Sequence, residues 1–211
     1  MNAPARIVLI RHGQTAWNAQ GRIQGHTDIE LNTLGRAQAA RLPEALRDEG
    51  LTAVVSSDLR RAWATARALA EPLGLPLHSE AGLRERGFGA MEGLGFRQLD
   101  EQHPDWAVPW RRREPGFLPP GGESLLQFQA RCLATAQRLV GRHVGQCVAW
   151  VTHGGVLDVL YRAATGAALD APRSWQLDNA SLNRLLYTGE RFSLVGWNDQ
   201  QHLHELIADA P

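Results

Sequence analysis

The sequence contains no lysine, and all 22 of its basic residues are arginines. A mechanism that needs a lysine nucleophile or base is therefore excluded. Any anion must be bound by arginine, histidine, polar side chains or backbone amides. The 22 acidic residues bring the formal net charge to zero. This balance gives no reason to expect a nucleic acid or an anionic membrane surface as a partner.

Cysteine is scarce and long apolar stretches are lacking. Cys132 and Cys147 are the only cysteines, and we interpret them as buried thiols of a protein in the reducing cytoplasm. No apolar run is long enough to cross a membrane, and residues 1–6 are too short for a signal peptide before the first strand. The 211 residues suit a single domain that spans the chain. We predict a globular cytoplasmic protein.

Apolar runs alternate with helical patterns along the chain, which predicts an α/β fold. We expect three layers, α/β/α, with a mostly parallel central sheet. Two late strands separated by a short glycine-containing turn predict a hairpin at the edge of the sheet. The predicted core strands are 7–10, 53–57 and 148–152, the hairpin strands are 182–187 and 192–197, and the predicted helices are 33–47, 59–69, 123–143 and 156–164.

The first predicted strand ends in residues suited to phosphate chemistry. Arg11, His12 and Gly13 follow the apolar residues 7–10 directly. The glycine lets the backbone turn sharply and leaves room for a ligand. In open α/β sheets, ligands bind at this edge, beyond the carboxyl ends of the strands. Arginine offers a planar fork to an anion and a neutral imidazole can attack phosphorus, so the tripeptide suits a phosphate site.

Two other strands and one loop bring similar groups to the same edge. The strand at 148–152 runs into His153 and two glycines. The strand at 53–57 leads to a helix whose first turn carries an arginine, either Arg60 or Arg61. Glu85 lies in a loop bounded by glycine. Two histidines, two arginines and a glutamate are the set that phosphoryl transfer through histidine requires.

These blocks resemble the histidine phosphatase superfamily, also called the phosphoglycerate mutase-like family. The resemblance covers nearly the whole chain and implies the phosphoglycerate mutase-like fold. No cofactor is needed when the nucleophile is the enzyme's own histidine. The blocks that carry the resemblance are RHGQT at 11–15, RIQG at 22–25, SDLRRA at 57–62, LRE at 83–85 with FG at 88–89, and VTHGG at 151–155.

The resemblance also implies catalytic roles. A neutral His12 attacks phosphorus in line and forms a phosphohistidine. Arg11, Arg61 and a protonated His153 hold the phosphoryl oxygens, and the family register favours Arg61 over its neighbour. Glu85 protonates the leaving oxygen and later takes a proton from water.

Further candidates for the pocket accompany these five residues. The other histidines show no spacing typical of a metal site, and we expect no metal. The candidate substrate-binding groups are Asn18, Gln24, Glu92 and the Gly154 amide.

Residues 92–122 form a polar, proline-rich insertion beside the predicted site. A segment of this length at a catalytic edge is typical of a lid that selects the substrate, and the other interpretation is a plain surface loop. Trp110, Arg111 and Arg112 resemble the mutase segment whose arginines hold the glycerate carboxylate. We therefore expect Arg111 and Arg112 to bind substrate.

Three functions compete at this point. They are hydrolysis of small phosphomonoesters, a cofactor-dependent phosphoglycerate mutase, and a non-catalytic protein that binds a phosphorylated ligand. No catalytic position is substituted, which disfavours the third. The segments 22–28, 88–93 and 120–124 resemble the phosphatase branch, and the Asn-Lys step of mutases is lacking at 94–97. We therefore predict a phosphatase acting on a small phosphorylated metabolite, with the substrate and a homodimeric state left open.

Overall fold

The computed structural model describes residues 3–208, and within them six strands form one sheet. The strands are β1 (Ala5–Arg11), β2 (Leu51–Ser56), β3 (Leu77–Ser79), β4 (Cys147–Thr152), β5 (Leu182–Tyr187) and β6 (Phe192–Asp199). Their order across the sheet is β3-β2-β4-β1-β5-β6. Strands β1 to β4 run parallel, β5 is antiparallel to β1, and β6 is antiparallel to β5. The predicted parallel sheet with a hairpin at its edge is confirmed.

Helices connect the strands and cover both faces of the sheet. They are α1 (Ala16–Ala19), α2 (Thr33–Ala40), α3 (Leu42–Ala45), α4 (Arg60–Leu73), α5 (Phe96–Gln102), α6 (Pro104–Arg111), α7 (Leu125–Arg142), α8 (Gly154–Thr165) and α9 (His204–Ala208). Short 3-10 turns occupy Ala81–Leu83, Gly89–Met91 and Gln201–Leu203. No helix among the described residues has the length and apolar character needed to cross a bilayer.

The predicted helix at 33–47 is two helices, because Pro43 lies near the start of α3. Proline has no N–H to donate, and its ring crowds the carbonyl four residues earlier. The second helix runs further than predicted, to Leu73, and ends at Gly74, which has the left-handed conformation typical of a C-terminal cap. Strand β3 was not predicted from the sequence. Its three residues are largely exposed at the sheet edge and carry little apolar periodicity.

Successive residues of β1 point to opposite faces of the sheet and enter two separate cores. Ile7 and Leu9 pack with Phe128 of α7 and Leu157 of α8. On the other face, Val8 and Ile10 pack with helices α3 and α4. The result is the predicted three-layer arrangement. Because β1 and β4 lie in its centre and are buried on both faces, the residues at their carboxyl ends have fixed positions.

The two cysteines are buried and free, as predicted. Cys132 lies on α7 and Cys147 begins β4. Burial raises the pKa of both thiols, which keeps them protonated at neutral pH. A buried protonated thiol behaves as a small apolar side chain.

The insertion at 92–122 folds into helices α5 and α6 with a small core of its own. Leu99 and Ala107 of the insertion are buried there against Met91 and Ile23 from outside it, and tryptophans and phenylalanines pack around them. Arg113 follows α6 and joins the insertion to α8 through an ion pair of 2.6 Å with Asp158. The insertion is therefore an ordered element that rests beside the sheet edge.

Candidate active site

The two predicted catalytic histidines lie side by side because their strands are neighbours. The register of β1 and β4 pairs Arg11 with Thr152. The next residues, His12 and His153, therefore leave the sheet at the same level, and their ring centroids are 5.1 Å apart. Both side chains are buried, with exposures of 3% and 0%.

The surroundings of His12 fix its tautomer and its charge. Its Nδ1 lies 2.7 Å from the carbonyl oxygen of Gly13. A carbonyl only accepts, so Nδ1 carries the proton and Nε2 keeps its lone pair. Burial and the nearby guanidinium groups of Arg61 and Arg11 hold the pKa of His12 well below its ordinary value of 6.5. The ring is neutral at physiological pH, as the sequence predicted, and Nε2 can act as a nucleophile.

His153 is bound through its Nε2, which lies 2.8 Å from Ser57 Oγ. Its Nδ1 is buried and has no partner among the described residues. Burial and the charges of Arg61 and Arg11 hold the pKa of His153 well below 6.5. These surroundings favour the neutral ring over the predicted protonated one, since charging a buried ring beside two guanidinium groups is unfavourable. When Ser57 donates to Nε2, the neutral ring carries its proton on Nδ1.

Arg61 lies in the first turn of α4 and is almost fully buried, with 1% exposure. Its terminal nitrogens donate to the carbonyls of Gly25 at 2.7 Å and Thr27 at 3.1 Å. Burial lowers its pKa to about 10, although the charge of Glu85 opposes the shift, so the group stays cationic at neutral pH. Arg60 points outward and pairs with a surface glutamate. The preference for Arg61 is thus explained by the helix register.

Arg11 donates from its Nη1 to the carbonyl of Leu177. Burial lowers the pKa of Arg11, with Glu85 opposing that shift. The Nε atoms of Arg11 and Arg61 are buried and, within residues 3–208, have no hydrogen-bond partner. We use the name phosphoryl centre for two arginines and two neutral histidines at the ends of β1 and β4 and the start of α4, namely Arg11, His12, Arg61 and His153.

Asn18 and Gln24 each present an amide to the same space. The oxygen of Asn18 accepts from Thr15 at 3.0 Å and from Asn179 at 3.4 Å. The oxygen of Gln24 accepts from the Thr15 hydroxyl at 3.0 Å. With the oxygens engaged, the N–H groups of these amides are the parts that can serve an anion.

Glu85 and the start of α8 also border the phosphoryl centre. The Oε2 atom of Glu85 accepts from the Gly155 amide at 3.0 Å, and Oε1 accepts from the Arg86 amide at 2.9 Å. A Cβ at position 155 would lie 2.1 Å from Oε1, so glycine is required for the carboxylate to approach the helix. Gly154 is the first residue of α8, where backbone N–H groups and the helix dipole favour an anion.

These groups surround a cavity of about 330 Å³. Seven of the predicted site residues line it, namely Arg11, His12, Asn18, Gln24, Arg61, Glu85 and Gly154. His153 lies behind them against His12. Phe96 and Trp110, which also line the cavity, belong to the insertion that was predicted to border the site. The lining residues that were not named as site candidates also include Arg22, Phe88, Arg173 and Leu177. No sequence signal marks Arg173, a single arginine in the loop between α8 and β5.

Glu92 is not brought into the cavity. Its two oxygens accept from the amides of His26, Thr27 and Phe88 and from the Thr27 hydroxyl, at 2.6 to 3.0 Å. Burial alone would raise the pKa of Glu92, but these hydrogen bonds outweigh it and the pKa is lowered. The carboxylate therefore ties two loops together, and its predicted role in substrate binding is corrected to a structural one.

Arg111 and Arg112 also lie outside the cavity. Arg111 pairs with Asp100 through two hydrogen bonds of 2.6 and 2.7 Å on the exposed face of the insertion. Arg112 is exposed. The residue of this segment that lines the cavity is Trp110, because the helical turn of α6 directs the following arginines elsewhere. The predicted carboxylate contact through these two arginines has no support in this geometry.

Comparison with known proteins agrees with this site. The family model of the histidine phosphatase superfamily (branch 1) matches residues 7–200. The chain is 38% identical over 205 residues to phosphoglycerate mutase-like protein 4 of Arabidopsis thaliana, covering 95% of this chain and 88% of the relative. It is 36% identical over 200 residues to the metal-independent phosphoserine phosphatase of Arabidopsis thaliana, covering 93% and 82%.

A solved structure has the same fold. The mycobacterial glucosyl-3-phosphoglycerate phosphatase in complex with VO3 aligns with a TM-score of 0.82 and 35% identity, covering 92% of this chain and 99% of the other. The chain therefore belongs to the histidine phosphatase superfamily. It is an enzyme that hydrolyses phosphomonoesters, and the predicted family, fold class and reaction are confirmed.

Proposed function

We propose that the enzyme transfers the phosphoryl group of a small phosphorylated metabolite to Nε2 of His12 and then to water. The observation that carries this proposal is the hydrogen bond from His12 Nδ1 to Gly13, which leaves Nε2 as a neutral nucleophile. A nucleophile of this kind splits one difficult displacement into two easier ones. The buried free thiols support a reducing compartment, the cytoplasm, as the place of action.

In the first step, the lone pair of Nε2 attacks phosphorus while the bond from phosphorus to the ester oxygen breaks. The electron pair of that bond stays on the leaving oxygen, which receives a proton from the Glu85 carboxyl group. In the second step, water attacks phosphorus and gives a proton to Glu85. The P–N bond breaks, its electron pair returns to Nε2, and inorganic phosphate leaves. Glu85 suits both steps because it lines the cavity beside His12.

Hydrogen-bond donors are available for the oxygens of the phosphoryl group. Three buried atoms without a protein partner among residues 3–208 are Arg11 Nε, Arg61 Nε and His153 Nδ1. Buried polar groups are nearly always hydrogen-bonded, so three orphans in one centre favour a bound anion. Two guanidinium groups and the N-terminus of α8 oppose the negative charge that develops in the transition state. A neutral His153 with its proton on Nδ1 fits this role without an added charge.

A phosphorus NMR time course tests the reaction. The purified protein, with EDTA present, is given 3-phosphoglycerate primed with bisphosphoglycerate and, separately, 4-nitrophenyl phosphate. We expect growth of the inorganic phosphate signal and no 2-phosphoglycerate. Fast growth of 2-phosphoglycerate would instead establish a mutase, which returns the phosphoryl group to another hydroxyl. A protein that turns over neither compound would contradict the proposal altogether.

The role of Glu85 is tested with two classes of leaving group. An alkyl alkoxide needs a proton as it leaves, whereas nitrophenolate leaves readily without one. We expect Glu85→Gln to lower kcat on an alkyl phosphate by about 10² to 10⁴ and to lower it much less on 4-nitrophenyl phosphate. Equal losses on both substrates would assign Glu85 to positioning rather than to proton transfer.

A further inference from the structure

A second cavity of about 190 Å³ continues from the first one beyond Glu85. The two cavities share Glu85, Phe88, Trp110, Gly155 and Arg173 in their walls and therefore adjoin one another. In the proposed reaction the leaving oxygen receives its proton from Glu85, which places the leaving group on the Glu85 side of the phosphoryl centre. The rest of the leaving group then extends into this second space, which we call the leaving-group chamber.

Three arginines line the chamber, and two of them already have protein partners. Arg86 donates to the carbonyls of Glu123 at 2.8 Å and Phe117 at 3.1 Å. Arg113 donates to the Leu169 carbonyl at 3.1 Å and pairs with an aspartate of α8. These bonds hold both guanidinium groups in the wall, where they contribute charge without being available to move.

Arg173 differs from them. Its side chain is exposed, and in the part of the chain that the structure describes it takes part in no ion pair. It borders both cavities, and its charge is one of the causes that lower the pKa of Arg11. Arg173 is therefore a cation that borders both cavities and has no counter-ion among residues 3–208. A carboxylate is the anion that its planar fork pairs with best after phosphate.

Asp158 offers the opposite kind of group. Its residue exposure is 4%, and its Oδ2 accepts from Arg113 at 2.6 Å and from Arg162 at 3.0 Å. Its Oδ1 is buried and has no partner among residues 3–208, although the residue lines the chamber. Two guanidinium groups against one carboxylate leave this cluster positive. A neutral hydroxyl therefore suits Oδ1 better than an ammonium group, which would add a third positive charge.

We propose that the chamber is a leaving-group subsite in which Arg173 binds a carboxylate and Asp158 Oδ1 accepts a hydrogen bond from a hydroxyl of the same leaving group. Both residues determine specificity and neither touches the phosphorus. The assignment rests on the proposed function, because it requires the phosphoryl group to lie over His12. The preferred leaving group is a short hydroxy acid.

Four phosphomonoesters test the Arg173 contact and the Asp158 contact independently of each other. 3-Phosphoglycerate carries both groups, O-phosphoserine replaces the hydroxyl by ammonium, glycerol 3-phosphate lacks the carboxylate, and 4-nitrophenyl phosphate lacks both. The quantity to compare is kcat/KM relative to 4-nitrophenyl phosphate, which removes effects common to all substrates. We expect 3-phosphoglycerate to be the best of the alkyl esters, with O-phosphoserine of either configuration about tenfold or more below it, the loss expected for one hydrogen bond to a charged group.

Arg173→Gln tests the carboxylate contact, with Arg97→Gln as a matched control. Arg97 is an exposed arginine of the insertion that lines neither cavity. We expect Arg173→Gln to lower the ratio for 3-phosphoglycerate and phosphoserine about tenfold or more and to leave the ratio for glycerol 3-phosphate near its starting value. We expect the Arg97→Gln control to keep the wild-type ratio of kcat/KM values for every substrate. An equal loss on all four substrates would place Arg173 at the phosphoryl group and overturn the subsite.

Asp158→Asn tests the hydroxyl contact, because the amide keeps the shape but can present a donor to the chamber. We expect the preference for 3-phosphoglycerate over phosphoserine to fall toward unity. If Asp158→Asn fails to fold because its buried ion pairs are lost, the substrate preference of the wild-type enzyme tests the assignment instead. A preference for phosphoserine over 3-phosphoglycerate would contradict a hydroxyl contact at Asp158 Oδ1. Hydrolysis of the aryl ester without discrimination among the others overturns only the subsite. Failure to hydrolyse any of the four overturns the proposed function and the subsite with it.

Discussion

The phosphoryl centre and the leaving-group chamber occupy adjoining cavities but differ in the elements that hold their residues in place. Residues of the centre follow core strands β1 and β4 or begin helix α4, and His12, Arg61 and His153 are at most 3% exposed. The outer wall of the chamber comes from the insertion and from the loop that carries Arg173. Its apolar residues pack in a small cluster separate from the two main cores.

This difference separates the residues that carry out phosphoryl transfer from those that select the substrate. Atoms held by a buried parallel sheet keep the sub-ångström placement that transfer of a phosphoryl group requires. Segments outside the sheet, such as the insertion that Arg113 ties to Asp158 of α8, can change in sequence without disturbing that placement. The enzyme can therefore keep one reaction while its leaving-group chamber adapts to different substrates.

The largest effect is expected from removing the nucleophile of the phosphoryl centre. His12→Ala eliminates Nε2 and should lower kcat on 4-nitrophenyl phosphate by about 10⁴ or more, the scale seen when a covalent nucleophile is lost. Its thermal melting should stay cooperative. The matched control is His78→Ala, an exposed histidine remote from the cavity of the centre. Residual activity close to that of the control would show that another group attacks phosphorus.

The same contrast explains how much the sequence could predict. The central strands and most helices follow from apolar periodicity and glycine positions, because the sheet is buried on both faces. The split at Pro43 and the exposed strand β3 were not predicted, since local patterns there conflict or carry no signal. Residues at strand ends were located correctly for a topological reason. Parallel neighbouring strands bring their carboxyl ends together whatever lies between them in sequence.

Predictions for the insertion succeeded less well. The resemblance to a mutase segment suggested Arg111 and Arg112, but the side on which a helical turn presents an arginine depends on packing that the sequence does not reveal. Glu92 lies near the site in sequence and in space, yet hydrogen bonds to two loops occupy its oxygens. Arg173 lies in no motif, and Ser57 begins the SDLRRA block without being assigned a role there. Their positions follow only from the folded arrangement of His153 and of the chamber.

The boundary between the centre and the chamber can be tested at two adjacent glycines. A Cβ at Gly155 would lie 2.1 Å from Glu85 Oε1 and 3.1 Å from Phe128, whereas a Cβ at Gly154 has only ordinary contacts of 3.6 Å or more, with Arg11. We expect Gly155→Ala to displace the Glu85 carboxylate and lower kcat on an alkyl phosphate by about 10². Gly154→Ala should lose far less. Similar losses in both variants would mean that Glu85 tolerates displacement.

The buried histidines of the centre should also make stability depend on pH. Their pKa values are held well below 6.5 in the folded protein, while the unfolded chain has ordinary ones. Above pH 6.5 both states are neutral and there is no cost. As the pH falls below 6.5, the unfolded state binds more protons, so the free energy of unfolding falls by about 1.4 kcal/mol per pH unit for each ring.

Urea unfolding at a series of pH values from about 7 to about 5 measures this slope. His153→Asn, which keeps a polar group of similar size, should remove about half of it. A wild-type stability that does not fall across this range would mean that one or both rings are protonated in the folded protein. That result would restore a cationic His153 in the mechanism and weaken the case for a neutral nucleophile.

The smallest effect is expected on the outer face of the insertion. Arg112→Ala removes an exposed charge that does not border either cavity, so KM for 3-phosphoglycerate should change less than about twofold, within the range of ordinary surface substitutions. The sequence resemblance to mutases predicts the opposite, a marked rise in KM for carboxylated substrates alone. Such a rise would require the insertion to swing Arg112 over the bound substrate. The leaving-group chamber would then be completed by movement of the insertion, and its specificity would depend on closure as well as on Arg173.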